Sequence, residues 1–367
     1  MKYLYGEKLD NIKRYKIKEL GEFIMAEPVL SYPGAKWKFY NDMVQYFPLD
    51  MKDFREPFFG GGSVSLSVAD DPRFTKLERI QVGDLAPEIW AFWTGARNHP
   101  DEVVALCEKW YKEKTPHQPQ MRELGIEFMK DYIEKGKDYT KDPNIQPCDY
   151  GYYKEGIELC KVALKEAQDF WNWADKVDTK NMSIVERAAR TYLVNKYSFS
   201  GMGDSGSLSK ERFFAYTPQA SLRIIKASPL LKKMDIRNCS FEETMSNVNR
   251  NDSFIFLDPP YWRQEDSGLY GRHGDTHRGF PHEHFAQFTK DTNCKWFVTY
   301  DDSPKVRQMF SGTPKYEDEN GIRQIYKVQY KTVYTMAKQA AEDALAGEEL
   351  FIANYDIENS HSDFDLL

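Results

Sequence analysis

Short apolar runs of strand length and longer amphipathic segments of helical length follow one another along the chain, and their order defines its organisation. Residues 1–27 are charged and weakly patterned, and read as an appended arm or helix. FREPFFGGGSVSLSVADDP then joins a strand-like run ending at Phe59 to a glycine turn and a helix beginning at Ser63. RIQVGD, from Arg79 to Asp84, is a second short strand ending in a carboxylate, and LAPEIWAFW opens another helix. From Asp101 to about Tyr197 the pattern is amphipathic and helical, through DEVVALCEKWYKEK, MRELGIEFMKDYIEKG, GYYKEGIELCKVALKEAQDFWNWADK and SIVERAARTYLVNKYS. Strand signals return in SFIFLD (253–258), KWFVTY (295–300), RQIYKVQYKTVY (323–334) and EELFIANY (348–355). The strands on either side of the helical block fit one sheet, which predicts an α/β fold with the helices inserted between its halves.

Charge and composition narrow the picture. The 367 residues carry 57 acidic and 50 basic side chains, a formal charge of −7, so any nucleic-acid contact must come from a local basic face. Between Ser205 and Arg237 such a face is present: Lys210, Arg212, Arg223, Lys226, Lys232, Lys233 and Arg237 oppose only Glu211 and Asp235. Cys107, Cys148, Cys160, Cys239 and Cys294 form no CxxC pair, which argues against a zinc ribbon or a disulfide framework and for a reducing, cytoplasmic setting. The N-terminus lacks an apolar signal core and no stretch of about 18 apolar residues occurs, so neither secretion nor membrane spanning is expected.

Two motifs carry chemistry. Gly60, Gly61 and Gly62 at a strand end leave backbone open to a ligand, and Asp84 at the end of the next strand is placed to accept from ribose hydroxyls. Ser65 stands where a dinucleotide fingerprint would have its third glycine, so a nicotinamide-dependent oxidoreductase is the weaker reading. The second motif follows an apolar strand: Asp258, Pro259, Pro260 and Tyr261. The prolines lack amide donors and stiffen the turn, so an Asp carboxylate and a Pro carbonyl can hold an amino group from two sides while the tyrosine stacks on the ring bearing it. An aromatic amine is a poor nucleophile, and two acceptors at the nitrogen favour its pyramidal form and stabilise the positive charge that grows on it during attack.

With these residues in place, the chain resembles the Dam-like adenine-specific DNA methyltransferases over roughly residues 30–355, with the motifs in the family's order. YPGAKWKF resembles the first cofactor motif, implying cofactor contacts from Tyr32 and from Lys36 and Trp37, the last two near the methionine end. EPFFGGGSVSL resembles the FxGGG loop, implying cofactor contacts from Phe59, Gly60, Gly61, Gly62 and Ser63. GDLAPE resembles the ribose-binding acid and helix start, with Ala86 in place of the common Asn, and IRNCSFEE the adenine-pocket segment around Phe241. VNKYSFSGM resembles the "N-R-x-x-x-N-G" segment, implying DNA contacts from Asn195, Lys196 and Gly201, joined by Lys210, Arg212, Lys232 and Lys233 from the basic segment. TYDDS and EELFIANY resemble the family's "SYNDS" and "ELLItNY" strands.

The resemblance implies a Rossmann-like S-adenosylmethionine-dependent methyltransferase sheet with a C-terminal β-hairpin and a helical insertion for DNA recognition. Its parts are an arm at 1–27, a catalytic domain at 28–98 plus 236–356, an insertion at 99–235 and an acidic tail at 357–367. The implied reaction is direct in-line methyl transfer to the 6-amino group of an adenine flipped out of double-stranded DNA, without a metal, by a monomer or weak dimer in a bacterial cell or phage-infected host. A cytosine-amine methyltransferase and a catalytically inactive DNA-binding relative stay open. Dam-like enzymes that read GATC carry a basic side chain after the "N-G", where this chain has Asp204, so a different site, or guanine reading by Lys210 or Arg212, is expected. Cys148 in QPCDY does not read as a nucleophile. His273, His277, His282 and His284 read as a loop closing over the site, with the last two opening a helix, rather than as metal ligands.

Overall fold

The computed structural model describes residues 15–17, 21–23, 28–38, 40–124, 150–209, 213, 215–262, 279–311, 326–333 and 346–355. Strands β1 (Tyr15–Ile17) and β2 (Gly21–Phe23) pair as an antiparallel hairpin within the N-terminal arm, a strand pairing where the sequence suggested an arm or helix. The main sheet is built from β3 (Asp53–Glu56), β4 (Arg79–Asp84), β5 (Met234–Asn238), β6 (Ser253–Leu257), β7 (Lys295–Asp301), β8 (Tyr326–Val333) and β9 (Ala346–Ala353). Its order is β5-β4-β3-β6-β7-β9-β8. Neighbours from β5 to β7 run parallel, and β9 runs antiparallel to both β7 and β8, giving the expected C-terminal hairpin. The expected strands recur within a few residues of their sequence bounds. β5 was not legible, because the alternation in MDIRN spans only two apolar residues, too few to separate an edge strand from a loop.

The chain leaves β3 towards β4 and β5 and returns to β6 on the other side, so the order reverses between β3 and β6. Ligands of open α/β sheets bind at such a switch point, outside the carboxyl ends of the strands. Side-chain alternation splits the core between the two faces of the sheet. On β6, Phe254 and Phe256 join the larger buried cluster, while Ile255 and Leu257 face the other one with Trp296, Val298 and Tyr300 of β7.

The helices are α1 (Tyr40–Val44), α2 (Ser63–Asp70), α3 (Pro87–Asn98), α4 (Pro100–Lys114), α5 (His117–Leu124), α6 (Tyr150–Lys176), α7 (Ile184–Tyr197), α8 (Pro218–Leu231), α9 (Phe241–Met245), α10 (His282–Asp291) and α11 (Pro304–Met309). Proline opens α3, α4, α8 and α11, where its missing N–H costs no intrahelical bond. Ser183 and Glu186 close a capping box on α7, which fixes where that helix starts. Val103, Cys107, Tyr192, Ile224 and Leu231 from α4, α7 and α8 lie in the same buried cluster as Phe54, Val82 and Phe254 of the sheet. A separate small cluster of Met121, Ile157, Cys160, Ala163, Ala167 and Phe213 joins α5 to α6.

Candidate active site

A cavity of about 490 Å³ opens at the carboxyl ends of β3, β4 and β6, a size typical of small-molecule sites. Of the residues expected to meet a cofactor, Tyr32, Phe59, Gly60, Gly61, Ser63, Asp84, Phe241 and Asp258 line it, as does Pro260. Lys36, Trp37 and Gly62 are not part of its wall, and neither are Pro259 and Tyr261.

Asp84 ends β4 with both carboxylate oxygens engaged: Gly60 N–H donates to Oδ2 and Ala86 N–H to Oδ1, each at 2.8 Å. An ionised carboxylate has about four acceptor sites, so lone pairs remain for hydroxyl donors. Burial pushes its pKa up to about 6, against the opposing pull of those two amides. The glycine turn is shaped by rings. A Cβ on Gly62, at φ +70°, would stand 2.8 Å from the Trp93 ring, whose indole N–H donates to Gly60 O at 2.9 Å. Cβ atoms on Gly60 and Gly61 would stand 2.8 and 2.7 Å from Tyr32, so these glycines admit the Tyr32 side chain as well as lining the cavity.

Glu56 was absent from the sequence expectation. It ends β3 on the cavity wall and is 3% exposed, and its Oε2 accepts from the backbone N–H (3.0 Å) and hydroxyl of Ser65 on α2. Burial, reinforced by Asp258 and Asp84 and opposed by Ser65, pushes its pKa up to about 8. The available signal was an acid at a strand end, immediately before the glycine turn.

Asp258 follows β6 directly. Its Oδ1 accepts from Thr299 Oγ1 of β7 at 2.8 Å and pairs with the Lys36 ammonium at 2.9 Å, which also donates to Gly34 O at 2.9 Å. The same ammonium lies 4.9 Å from the Tyr261 ring centre, a cation–π distance. Tyr261 is 8% exposed and lies nearly parallel to Tyr300, with centroids 5.8 Å apart at 24°. Lys36, which the resemblance assigned to the cofactor's methionine end, thus contacts both Asp258 and Tyr261 of the Asp-Pro-Pro-Tyr segment.

The expected DNA-contacting residues fall into three groups. Asn195 is 3% exposed: its amide donates to Ser31 O (2.6 Å) and Gly201 O (2.8 Å), and its Oδ1 accepts from Ser31 N–H (3.0 Å). Lys196 is also buried, donating to Val29 O at 2.9 Å and lying over Tyr192. Gly201, at φ +76°, allows a contact in which a Cβ would stand 2.2 Å from Ser31 O. These three pin the segment leading to Tyr32 against α7, the Asn195 amide and the Lys196 ammonium being hydrogen-bonded to backbone inside the protein. Lys232 and Lys233 are exposed, but they precede Met234, which pairs with Ile80 near the start of β4, so they stand at the end of the sheet opposite Asp84 and Asp258. Lys233 donates to Ala69 O at 2.9 Å near the end of α2. Lys210 and Arg212 lie outside the described residues. Asp204, which stands where GATC-reading enzymes of the family carry a basic side chain, is held by buried Arg190 at 2.9 and 3.1 Å, and that guanidinium also donates to Ala174 O on α6.

His273, His277 and Cys148 lie outside the described residues, and His282 and His284 do open a helix. Among the described residues, no group of three or more His, Cys, Asp or Glu side chains is arranged for a metal, and no helix is long and apolar enough to cross a membrane.

A parallel sheet reversed between β3 and β6, with a glycine turn and acids at the ends of β4 and β6, is the frame of a Rossmann-like S-adenosylmethionine-dependent methyltransferase. The D12 class N6 adenine-specific DNA methyltransferase family matches residues 32–333, and the chain belongs to that family. It is also 21% identical, over 303 residues, to the Type II methyltransferase M.CviBI of Paramecium bursaria Chlorella virus NC1A, covering 81% of this chain and 91% of that protein. The chain is accordingly an adenine-specific DNA methyltransferase, with S-adenosylmethionine as cofactor and DNA as substrate. The cytosine-amine and inactive alternatives are not favoured.

Proposed function

We propose that the chain methylates the 6-amino group of adenine within a specific sequence of double-stranded DNA, on a base extruded into the mouth of the cavity. The observation that carries this reading is the fixed carboxylate of Asp258: Thr299 and Lys36 both hold Oδ1, leaving Oδ2 to accept from the target amine. S-adenosylmethionine, when bound, supplies a methyl group activated as a sulfonium, so no metal is invoked.

The residues present fit that group. The cavity has nucleoside dimensions, Asp84 retains lone pairs for ribose hydroxyls, Phe58 and Phe241 offer aromatic walls, Asp258 supplies negative charge, and Glu56, held largely protonated by burial, gains it as a bound cation favours its ionised form. Asp258 and a carbonyl of Pro259 hold the amine and stabilise the positive charge developing on nitrogen, while Tyr261 stacks on the base. Unstacking costs a few kcal/mol, which these contacts offset.

For the duplex, we propose that recognition uses the unit of α5, α6 and Phe213, which has its own buried cluster, and the loop at 198–209 beside Ser31. Phe199 on that loop is 49% exposed, an apolar side chain at the surface where the sequence suggested only polar contacts. The boundaries at 99 and 235 mark where the insertion begins and ends along the chain, while α4, α7 and α8 share the sheet's core. A restriction-paired setting fits a relative named as a Type II methyltransferase; a monomer or weak dimer in the cytoplasm of a bacterial cell or phage-infected host completes the proposal.

The test is incubation of unmethylated DNA with tritium-methyl cofactor, followed by sequencing that distinguishes methyladenine from methylcytosine. Label on adenine at one sequence, absent with Asp258→Ala, is expected. Label on cytosine, or none with the native chain, would overturn the reading.

A further inference from the structure

Phe280 and Pro281 form part of the cavity wall, and the next residue, His282, turns inward at the start of α10, only 3% exposed. Its Nδ1 is hydrogen-bonded to the hydroxyl of Tyr300 on β7. Trp262 and Phe280 meet its ring edge to face, with centroids 5.2 and 4.9 Å away. Tyr300, fully buried, is the ring against which Tyr261 lies. His284, two residues on, instead reaches a surface partner, Glu242, at 3.1 Å.

We propose that His282 is a positioning residue for methyl transfer, holding Tyr261 through Tyr300 at the angle the target base requires. The inference rests on the reading above that Tyr261 receives the flipped adenine. Offset stacking constrains ring planes only loosely, so a tyrosine backed by a second tyrosine can still slide and tilt. A hydrogen bond to the far end of the backing ring removes that freedom, because Tyr300 can then neither rotate nor withdraw without leaving a buried imidazole nitrogen unsatisfied. Trp262, immediately after the tetrapeptide, and Phe280, on the cavity wall, clamp the imidazole from the two segments that border the reaction. Small displacements of a group that orients a reacting atom have large rate effects.

The experiment compares His282→Phe, His282→Gln, Tyr300→Phe and the double variant His282→Phe/Tyr300→Phe in the full chain, measuring kcat, KM for DNA and calorimetric cofactor affinity. His282→Phe and Tyr300→Phe should each lower kcat roughly ten- to hundredfold with KM and cofactor affinity within about twofold. The double variant should be no slower than the worse single one, since both remove the same bond. His282→Gln, which can still bond the hydroxyl, should recover most of the rate. Unchanged kcat in His282→Phe, additive losses, or a loss of cofactor affinity in place of kcat would each overturn the proposal. Tyr261→Ala separates the two readings: full activity there would overturn stacking on Tyr261 itself, whereas an inactive Tyr261→Ala beside a fully active His282→Phe would overturn only the role of His282.

Discussion

Thr299 Oγ1 donates to Asp258 Oδ1 at 2.8 Å, on the same oxygen that receives the Lys36 ammonium. One carboxylate oxygen is thus committed to the protein, and in the proposed reaction the other receives the target amine. Thr299→Val keeps the shape and removes the donor. A hydrogen bond to a charged group contributes about 1.5–3 kcal/mol, so kcat should fall roughly ten- to hundredfold, with cofactor affinity little changed. Thr299→Ser should restore it. A native rate in the valine variant would show that the carboxylate is oriented without this bond.

Asp258 and Asp84 should divide catalysis from cofactor binding. Asp258→Ala is expected to abolish methyl transfer while holding cofactor affinity within a few fold. Asp84→Ala should weaken the cofactor, because it removes ribose acceptors worth about 0.5–1.5 kcal/mol each and strands the Gly60 and Ala86 amides. Calorimetry and turnover on both variants check this, and loss of cofactor binding alone in both would refute the division.

Glu56 makes stability depend on pH in the sense opposite to a salt-bridged carboxylate. Its pKa is raised from 4.5 to about 8 in the folded chain, and that of Asp84 from 3.8 to about 6. The folded state therefore binds these protons more tightly than the unfolded one. Their stabilising contribution is fully present below about pH 4 and is lost as pH rises to about 8. The cofactor-free Tm should carry this downward component from about pH 5 to 8, and Glu56→Gln should flatten it. An identical pH profile in the variant would remove Glu56 as the cause. A bound cation opposes the same loss, so stabilisation by cofactor should grow with pH across this window.

Lys232→Ala/Lys233→Ala should leave the salt dependence of DNA binding unchanged, since both lysines stand at the end of the sheet away from the cavity. Each phosphate contact contributes about 0.9 to the log–log slope, so a fall of one to two units would place the duplex along that end after all.

Asp204 should act on the loop rather than on a base. Arg190 is 1% exposed, and breaking a buried pair typically costs about 3–5 kcal/mol, so Asp204→Ala should lower Tm by several degrees and weaken DNA binding at every sequence. Asp204→Arg should not confer GATC methylation, because it sets a second guanidinium against Arg190. Methylome sequencing reads the outcome, and GATC methylation by Asp204→Arg would show that the position faces the base.

Most of the sheet was legible because its strands are local patterns: SFIFLD, RIQVGD and KWFVTY announce β6, β4 and β7 by apolar content and by what ends them. The acids Asp84 and Asp258 were legible for the same reason, since an acid at the carboxyl end of a central parallel strand has one place to be. The burial of Asn195 and Lys196 was not legible, because polarity along a chain does not reveal how far a side chain is removed from water. The partner that consumes the Asn195 amide, Ser31, lies 164 residues away.

What the sequence determined by itself was the order of strands and helices, the glycine turn and the Asp-Pro-Pro-Tyr acceptor, all set by backbone propensity and contiguous chemistry. Tertiary structure alone decided which ions are paired, which end of the sheet each lysine occupies, and that Glu56 lies on the cavity wall, Thr299 bonds Asp258 and His282 bonds Tyr300. Those properties depend on distances between segments remote in sequence and on how far packing removes them from water, and neither quantity is written in any local stretch of the chain.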